Sequence, residues 1–169
     1  MAENLEIERK FLVIGDDWRA GASSHVIRQG YILTSETTSL RVRLLDDKGF
    51  LTVKSDLREL TRHEFEYEIP VEDAVTLLDR ICPSPKIEKV RHIVEFGGMT
   101  WEIDEFTGLN SGLIVAELEL TAPDQGYDRP LWIGPEVSAE PQFLNAQLVN
   151  KPFCEWGITY AELLSSHGR

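Results

Sequence analysis

Apolar and polar residues alternate through most of the chain up to Leu120. Leu5, Ile7 and Phe11 stand against Glu6, Glu8 and Lys10. Leu40, Val42 and Leu44 alternate with Arg41 and Arg43, and Leu51 and Val53 with Thr52 and Lys54. Phe65, Tyr67 and Ile69 alternate with Glu64, Glu66 and Glu68, and Val90, His92 and Val94 with Arg91, Ile93 and Glu95. Trp101 and Ile103 alternate with Glu102 and Asp104, and Ala116, Leu118 and Leu120 with Glu117 and Glu119. A period of two sorts side chains to opposite faces of a strand. With the apolar stretch around Tyr31 and Ile32, the pattern predicts about eight strands. Asp47-Lys48-Gly49 and Gly97-Gly98 join neighbours tightly enough for hairpins, so the strands run antiparallel.

Helical periodicity is confined to a few places. Residues 71–81 follow Pro70, carry acids early and end at Pro83 and Pro85. Residues 140–149 and 158–165 predict two further helices, and residues 16–19 a short turn. No repeat or second domain is visible. The expectation is one domain over 1–169, with a strand-rich core at about 3–121 and a helical C-terminal part at about 130–169. The fold class expected is all-β-dominated α+β: an eight-stranded antiparallel closed β-barrel, or tunnel, with a few peripheral helices.

The polar faces hold like-charge pairs two residues apart: Glu6 and Glu8, Arg41 and Arg43, Glu64 and Glu66, Lys89 and Arg91, Glu102 and Asp104, Glu117 and Glu119. Lys10 and Lys54 belong to the same faces. Such a spacing sets both members on one side, ~7 Å apart. One such pair is ordinary on a solvated sheet. A whole set, strand after strand, suits the inside of a barrel. An interior with that many ions is no dry core, since burying unpaired charge is costly. It calls for water, metal and a highly charged ligand. Carboxylates without clustered thiols or imidazoles select a hard divalent cation, Mg²⁺ or Mn²⁺. Six bases select a polyanion rich in phosphate oxygens. Together they suggest phosphoryl transfer to water, or cyclisation of a nucleoside triphosphate.

Composition narrows the classes. The 169 residues carry 17 Lys and Arg against 29 Asp and Glu, a net charge of −12. That balance argues against nucleic acid held on the general surface, while leaving room for a basic site within an acidic shell. Cys82 and Cys154 form no disulfide framework and are expected as buried small hydrophobes. The N-terminus has no signal-peptide pattern, and no apolar run approaches the ~18 residues of a membrane span. A cytoplasmic, membrane-independent chain is expected.

The segment Glu6-Ile7-Glu8-Arg9-Lys10-Phe11-Leu12-Val13 resembles the N-terminal Glu-x-Glu-x-Lys signature of the CYTH proteins, the triphosphate tunnel metalloenzymes. The resemblance continues in order through Arg41-x-Arg43, Lys54, Glu64-x-Glu66, Lys89-x-Arg91, Glu102-x-Asp104 and Glu117-x-Glu119. It spans roughly residues 3–160 and is nearest the short bacterial inorganic triphosphatases. It implies an eight-stranded antiparallel tunnel, divalent metal and a small-molecule triphosphate substrate. Carried across, Glu6, Glu8, Glu117 and Glu119 become metal ligands. Lys10, Arg41, Arg43, Lys54, Lys89 and Arg91 become phosphate ligands. A catalytic Lys–Tyr dyad falls on Lys54 and Tyr31. Glu64, Glu66, Glu102 and Asp104 bind metal, order water or hold the bases in place.

The function expected is metal-dependent hydrolysis of tripolyphosphate. Thiamine triphosphatase, nucleoside triphosphatase and class IV adenylyl cyclase activities are alternatives on the same frame, as is a non-catalytic polyphosphate-binding module. Carboxylates that repel an anion argue against the last. No aromatic or amide cluster is assignable to a nucleobase pocket. His25, His63, His92 and His167 fit no ligand pattern, Trp101 and Trp132 read as core or rim, and a homodimer is left open.

Overall fold

A computed structural model describes residues 5–55, 61–83 and 85–168. Residues 1–4, read above for the lack of a signal peptide, lie outside the described residues. The strands are β1 (Leu5–Val13), β2 (Ser23–Thr34), β3 (Thr38–Leu45), β4 (Lys48–Ser55), β5 (Thr61–Ile69), β6 (Ile87–Phe96), β7 (Met99–Phe106), β8 (Ile114–Leu120) and β9 (Ile133–Glu136). They form one nine-stranded sheet in the order β5-β4-β3-β2-β6-β7-β8-β1-β9, and β5 also pairs antiparallel with β1, Leu5 opposite His63 and Ile7 opposite Thr61.

Two-residue turns set the hairpin registers. Gly97 and Gly98 have φ of 61° and 73°, the left-handed backbone that a primed turn needs between β6 and β7. The β3–β4 turn centres on Asp46, at φ 51°, one residue earlier than the sequence suggests. Asp46 accepts from the Val26 N–H at 2.8 Å and contacts His25 Nδ1 at 2.7 Å, which holds a side chain in this uncommon conformation.

Eight strands fall where periodicity puts them; the ninth, β9, corrects the expected number. It has four residues, one of them Pro135, and among the described residues pairs only with β1. Gly134 permits the approach, since a Cβ there would lie 2.9 Å from the Leu12 carbonyl oxygen. The region 130–169 is therefore not wholly helical. The helix expected over 140–149 is also broken. A 3-10 turn covers Pro141–Phe143, Leu144 is extended, and α2 spans Asn145–Asn150. The helix over 71–81 is present as α1 (Val71–Thr76) running into a π turn, Leu77–Ile81. The last, α3 (Tyr160–His167), starts at a Thr159/Glu162 capping box. Among the described residues no helix is long and apolar enough to cross a membrane.

Three apolar clusters hold the sheet. Phe11, Trp18, Trp101, Leu118, Trp132 and Ile133 pack on the outside of β1, β7 and β8. Val42, Ala74, Leu78 and Cys82 pack α1 and its π turn against β3. The third joins Leu12, Ile87, Phe106 and Val115 to Phe143, Leu148, Phe153 and Leu163 of the C-terminal segment. The four strand residues continue, two by two, the faces that carry Lys10, Lys89, Asp104 and Glu117. The charged face thus ends in an apolar floor sealed by the C-terminal segment. Cys154 is exposed, not buried; only Cys82 behaves as a core thiol.

Candidate active site

A cavity of about 1910 Å³ lies on the charged face. Its wall includes Glu6, Glu8, Lys10, Tyr31, Arg41, Arg43, Lys54, Glu64, Glu66, Arg91, Glu102, Glu117 and Glu119. Of the residues singled out in the sequence, only Lys89 and Asp104 stand outside this wall.

On β3, β4 and β5 the register builds rows. Arg41 lies opposite Thr52, and Thr52 opposite Glu66; Ser39 lies opposite Lys54, and Lys54 opposite Glu64. Arg43 Nη2 donates to Glu66 Oε1 at 2.8 Å and to Oε2 at 2.9 Å, and Arg41 Nη2 donates to Glu66 Oε2 at 3.3 Å. Lys54 Nζ reaches Glu6 Oε2 at 2.9 Å and Glu64 Oε2 at 2.6 Å. Burial raises the Glu66 pKa, but the Thr52 hydroxyl and the two guanidinium groups outweigh it and hold the carboxyl below its usual range. For Arg43, burial and then Arg41 beside it pull the pKa down from the usual guanidinium value. Arg41 Nε and Arg43 Nε are buried with no acceptor among the described residues.

On β1, β6, β7 and β8 the bases are more completely paired, and Lys89 and Asp104 lie deepest. Lys10 bonds Glu8 and Glu117. Arg91 bonds Glu102, and meets Asp104 and Glu117 at 2.7 Å each. Lys89 is 2% exposed and Asp104 fully buried; they bond each other, and Lys89 Nζ also meets Asn145 Oδ1 at 3.4 Å. Burial lowers the Lys89 pKa to about 8 despite Asp104. Burial opposes ionisation of Glu117, yet Lys10, Arg91 and Lys89 carry its pKa well below the carboxylate range.

Glu119 is different. Burial, then the charges of Glu6 and Glu8, raise its pKa. Glu8 and Glu119 are paired in register on β1 and β8. A concentration of mutually repelling oxygen donors fits a hard divalent cation by chemistry. By position they are dispersed: among the described residues no three carboxyl, imidazole or thiol groups converge to hold an ion. Glu6, Glu8 and Glu117 instead spend oxygens on Lys54 and Lys10. Tyr31 borders the cavity, where its hydroxyl accepts from Gln29 Nε2 at 3.4 Å.

Residues 4–151 match the CYTH domain family. The chain belongs to that family. This CYTH chain is 47% identical over 148 residues to an inorganic triphosphatase of Acetivibrio thermocellus, with 88% of this chain and 95% of that one covered. It is 34% identical over 151 residues to an inorganic triphosphatase of Nitrosomonas europaea, covering 85% and 95%. The crystal structure of an inorganic triphosphatase superposes with a TM-score of 0.62 at 31% identity, covering 85% of this chain and 93% of the other.

Several residues in or behind the cavity wall of this CYTH domain escape a reading of charges alone, Thr52 behind it and the others in it. Thr52 is fully buried between Arg41 and Glu66. Its signal was available: it stands two before Lys54 on the same strand face. Gln29, two before Tyr31, is legible in the same way. Asn145, Gln147 and Asn150 come to the cavity edge on α2, giving the amide cluster that the sequence did not reveal. A six-residue helix after an extended Leu144 has no periodic signal that would aim them there.

Proposed function

We propose that this chain is an inorganic triphosphatase that hydrolyses tripolyphosphate with a divalent metal, Mg²⁺ or Mn²⁺. The observation that carries the reading is the arginine pair. Arg41 and Arg43 both border the cavity and each keeps a buried Nε–H with no acceptor among the described residues. An unmatched buried donor is costly, and two on adjacent guanidinium groups favour a multivalent oxyanion. The triphosphatase relatives support the choice of anion.

In this reading the β5–β1 pairing closes eight of the strands into a tunnel around the substrate. Arg41, Arg43, Lys10, Lys54 and Arg91 exchange their carboxylate partners for phosphate oxygens. Lys89 joins them if substrate draws it from Asp104. Glu6, Glu8, Glu117 and Glu119 hold the cation, which offsets charge on the phosphate chain. Glu64, Glu66, Glu102 and Asp104 receive the bases when the substrate is absent. Tyr31 and Lys54 orient the attacking water and handle its proton. Water adds to a terminal phosphorus, the bridging P–O bond breaks, and orthophosphate and pyrophosphate leave. The amides of Asn145, Gln147 and Asn150 give a nucleobase something to bond, so ATP is the rival substrate to measure.

The test is phosphate release from tripolyphosphate, ATP, thiamine triphosphate and pyrophosphate, with and without chelator, for wild type, Glu8→Ala and Tyr31→Phe. Tripolyphosphate turnover should exceed that of ATP, vanish with chelator and largely vanish in Glu8→Ala. Tyr31→Phe should slow turnover while leaving KM in place. Faster ATP turnover, or cyclic AMP as product, would replace this reading with a nucleotide enzyme. Chelator-resistant turnover would remove the metal, and a wild-type rate in Tyr31→Phe would remove the dyad.

A further inference from the structure

The cavity face of β4 reads Phe50, Thr52, Lys54: apolar, hydroxyl, ammonium. Lys54 pairs across the sheet with acids, as its charge predicts. Thr52 is neutral, yet it occupies the equivalent place in the next row, between Arg41 on β3 and Glu66 on β5. It is fully buried. Its hydroxyl donates to Glu66 Oε2 at 2.7 Å and accepts from Arg41 Nη2 at 3.2 Å. A hydroxyl has one proton and two lone pairs, so this placement uses it in both directions.

We propose that Thr52 is a positioning residue of the triphosphate site: its hydroxyl locks Glu66 and Arg41 into one line, so that Glu66 gathers both arginines at the place the phosphates occupy. The inference rests on the triphosphatase reading.

The physical case is a difference between two states. Without substrate, Glu66 accepts from Arg43, Arg41 and Thr52. When phosphate oxygens take the guanidinium donors, Glu66 is left as a half-buried carboxylate. The Thr52 hydroxyl then supplies a donor that does not depart with the arginines, and it still gives Arg41 a fixed acceptor. Deleting the hydroxyl therefore harms the bound state more than the free one. The rival account is that Thr52 is there as a β-branched residue suited to a central strand. Valine, of nearly the same shape, would then serve equally well.

The experiment compares Thr52→Val and Thr52→Ser with wild type. Binding of tripolyphosphate is measured by calorimetry in chelator, kinetics with Mg²⁺, and Tm by thermal unfolding. Thr52→Val should bind tripolyphosphate about tenfold more weakly, the order carried by one charged hydrogen bond. KM should rise in parallel with kcat and Tm unchanged, and Thr52→Ser should restore affinity. Thr52→Ala, which deletes the hydroxyl without adding a methyl, repeats the comparison should the valine variant fail to fold. Wild-type affinity in the hydroxyl-free variants would overturn the proposal. So would weak binding that serine fails to rescue, because packing rather than the hydroxyl would then be at work. Wild-type protein that neither binds nor cleaves tripolyphosphate would instead overturn the substrate reading, and this inference with it.

Discussion

The two sides of the cavity wall are built from the same residue types and are in different states of readiness. On β3, β4 and β5 the arginines hold two donors with no acceptor among the described residues and share Glu66 with a threonine. On β1, β6, β7 and β8, Lys10, Lys89 and Arg91 are clasped by Glu8, Glu102, Asp104 and Glu117. Depth makes the difference. The Lys89 and Asp104 side chains keep 1% and 0%, whereas Glu64 and Glu66 keep 20% and 29%; Glu102 at 39% and Arg41 at 9% run against the trend. A buried charge must be paired at all times, so that side serves folding first. The shallower side can release its carboxylates to water at lower cost, so in the proposed reading it is the side an anion would engage first.

The comparison breaks most visibly by removing one acid from each side. Asp104→Ala leaves Lys89 with only a neutral partner, Asn145, among the described residues, takes one of three acids from Arg91, and should cost ~3–5 kcal/mol of stability. Glu64→Ala, on the shallower side, should cost no more than ~1 kcal/mol. Denaturant midpoints of the two variants give the answer; equal losses would mean the two sides do not differ.

Substrate capture should show the opposite ranking. Arg41→Ala and Arg43→Ala each remove a bidentate fork worth ~1.5–3 kcal/mol, or ~10–150-fold in affinity. Their Tm values should stay near wild type. Calorimetric titration with tripolyphosphate decides, and unchanged affinity with a large drop in Tm would make the arginines structural salt-bridge partners.

The smallest effect concerns Glu119, where burial and then Glu6 and Glu8 raise the pKa above its unfolded value. Ionising a group with a raised folded pKa destabilises the fold, fully so above that pKa, and the penalty fades as pH falls through it. Glu119→Gln should therefore be slightly more stable than wild type at neutral pH in chelator, by well under ~1 kcal/mol for so accessible a group. The gap should shrink on acidification into the carboxylate range. A gap that widens toward acid would reverse the sign of the argument.

The alternation that predicts the strands also predicts the cavity wall, because one period-two rule assigns both the element and the side of it. Glu6, Glu8, Lys10, Arg41, Arg43 and Lys54 were legible for that reason. Depth along the face was not. Lys89 and Arg91 look alike in sequence, yet Lys89 is covered because α2 and Asn145 lie over it. That cover comes from a segment more than fifty residues away. The strand β9 was hidden by its shortness and by Pro135, and its place is fixed by what β1 offers rather than by its own pattern. Leu144, extended in the middle of an apparent helix, shows the same limit: the docking of Phe143 and Leu148 into the floor sets the break.

Ion exchange supplies another way to see the paired bases. A resin is shipped loaded with counter-ions, and an incoming ion binds by displacing them. Here the counter-ions are carboxylates tethered to the same sheet, and they cannot diffuse away. A small anion of low valence would displace one carboxylate and meet its return at the raised effective concentration of a tethered group. A slender chain carrying several charges displaces several at once and leaves none free to return alone. In the proposed reading, the loading that quiets the cavity at rest would set a valence threshold, and a monovalent anion would fall below it.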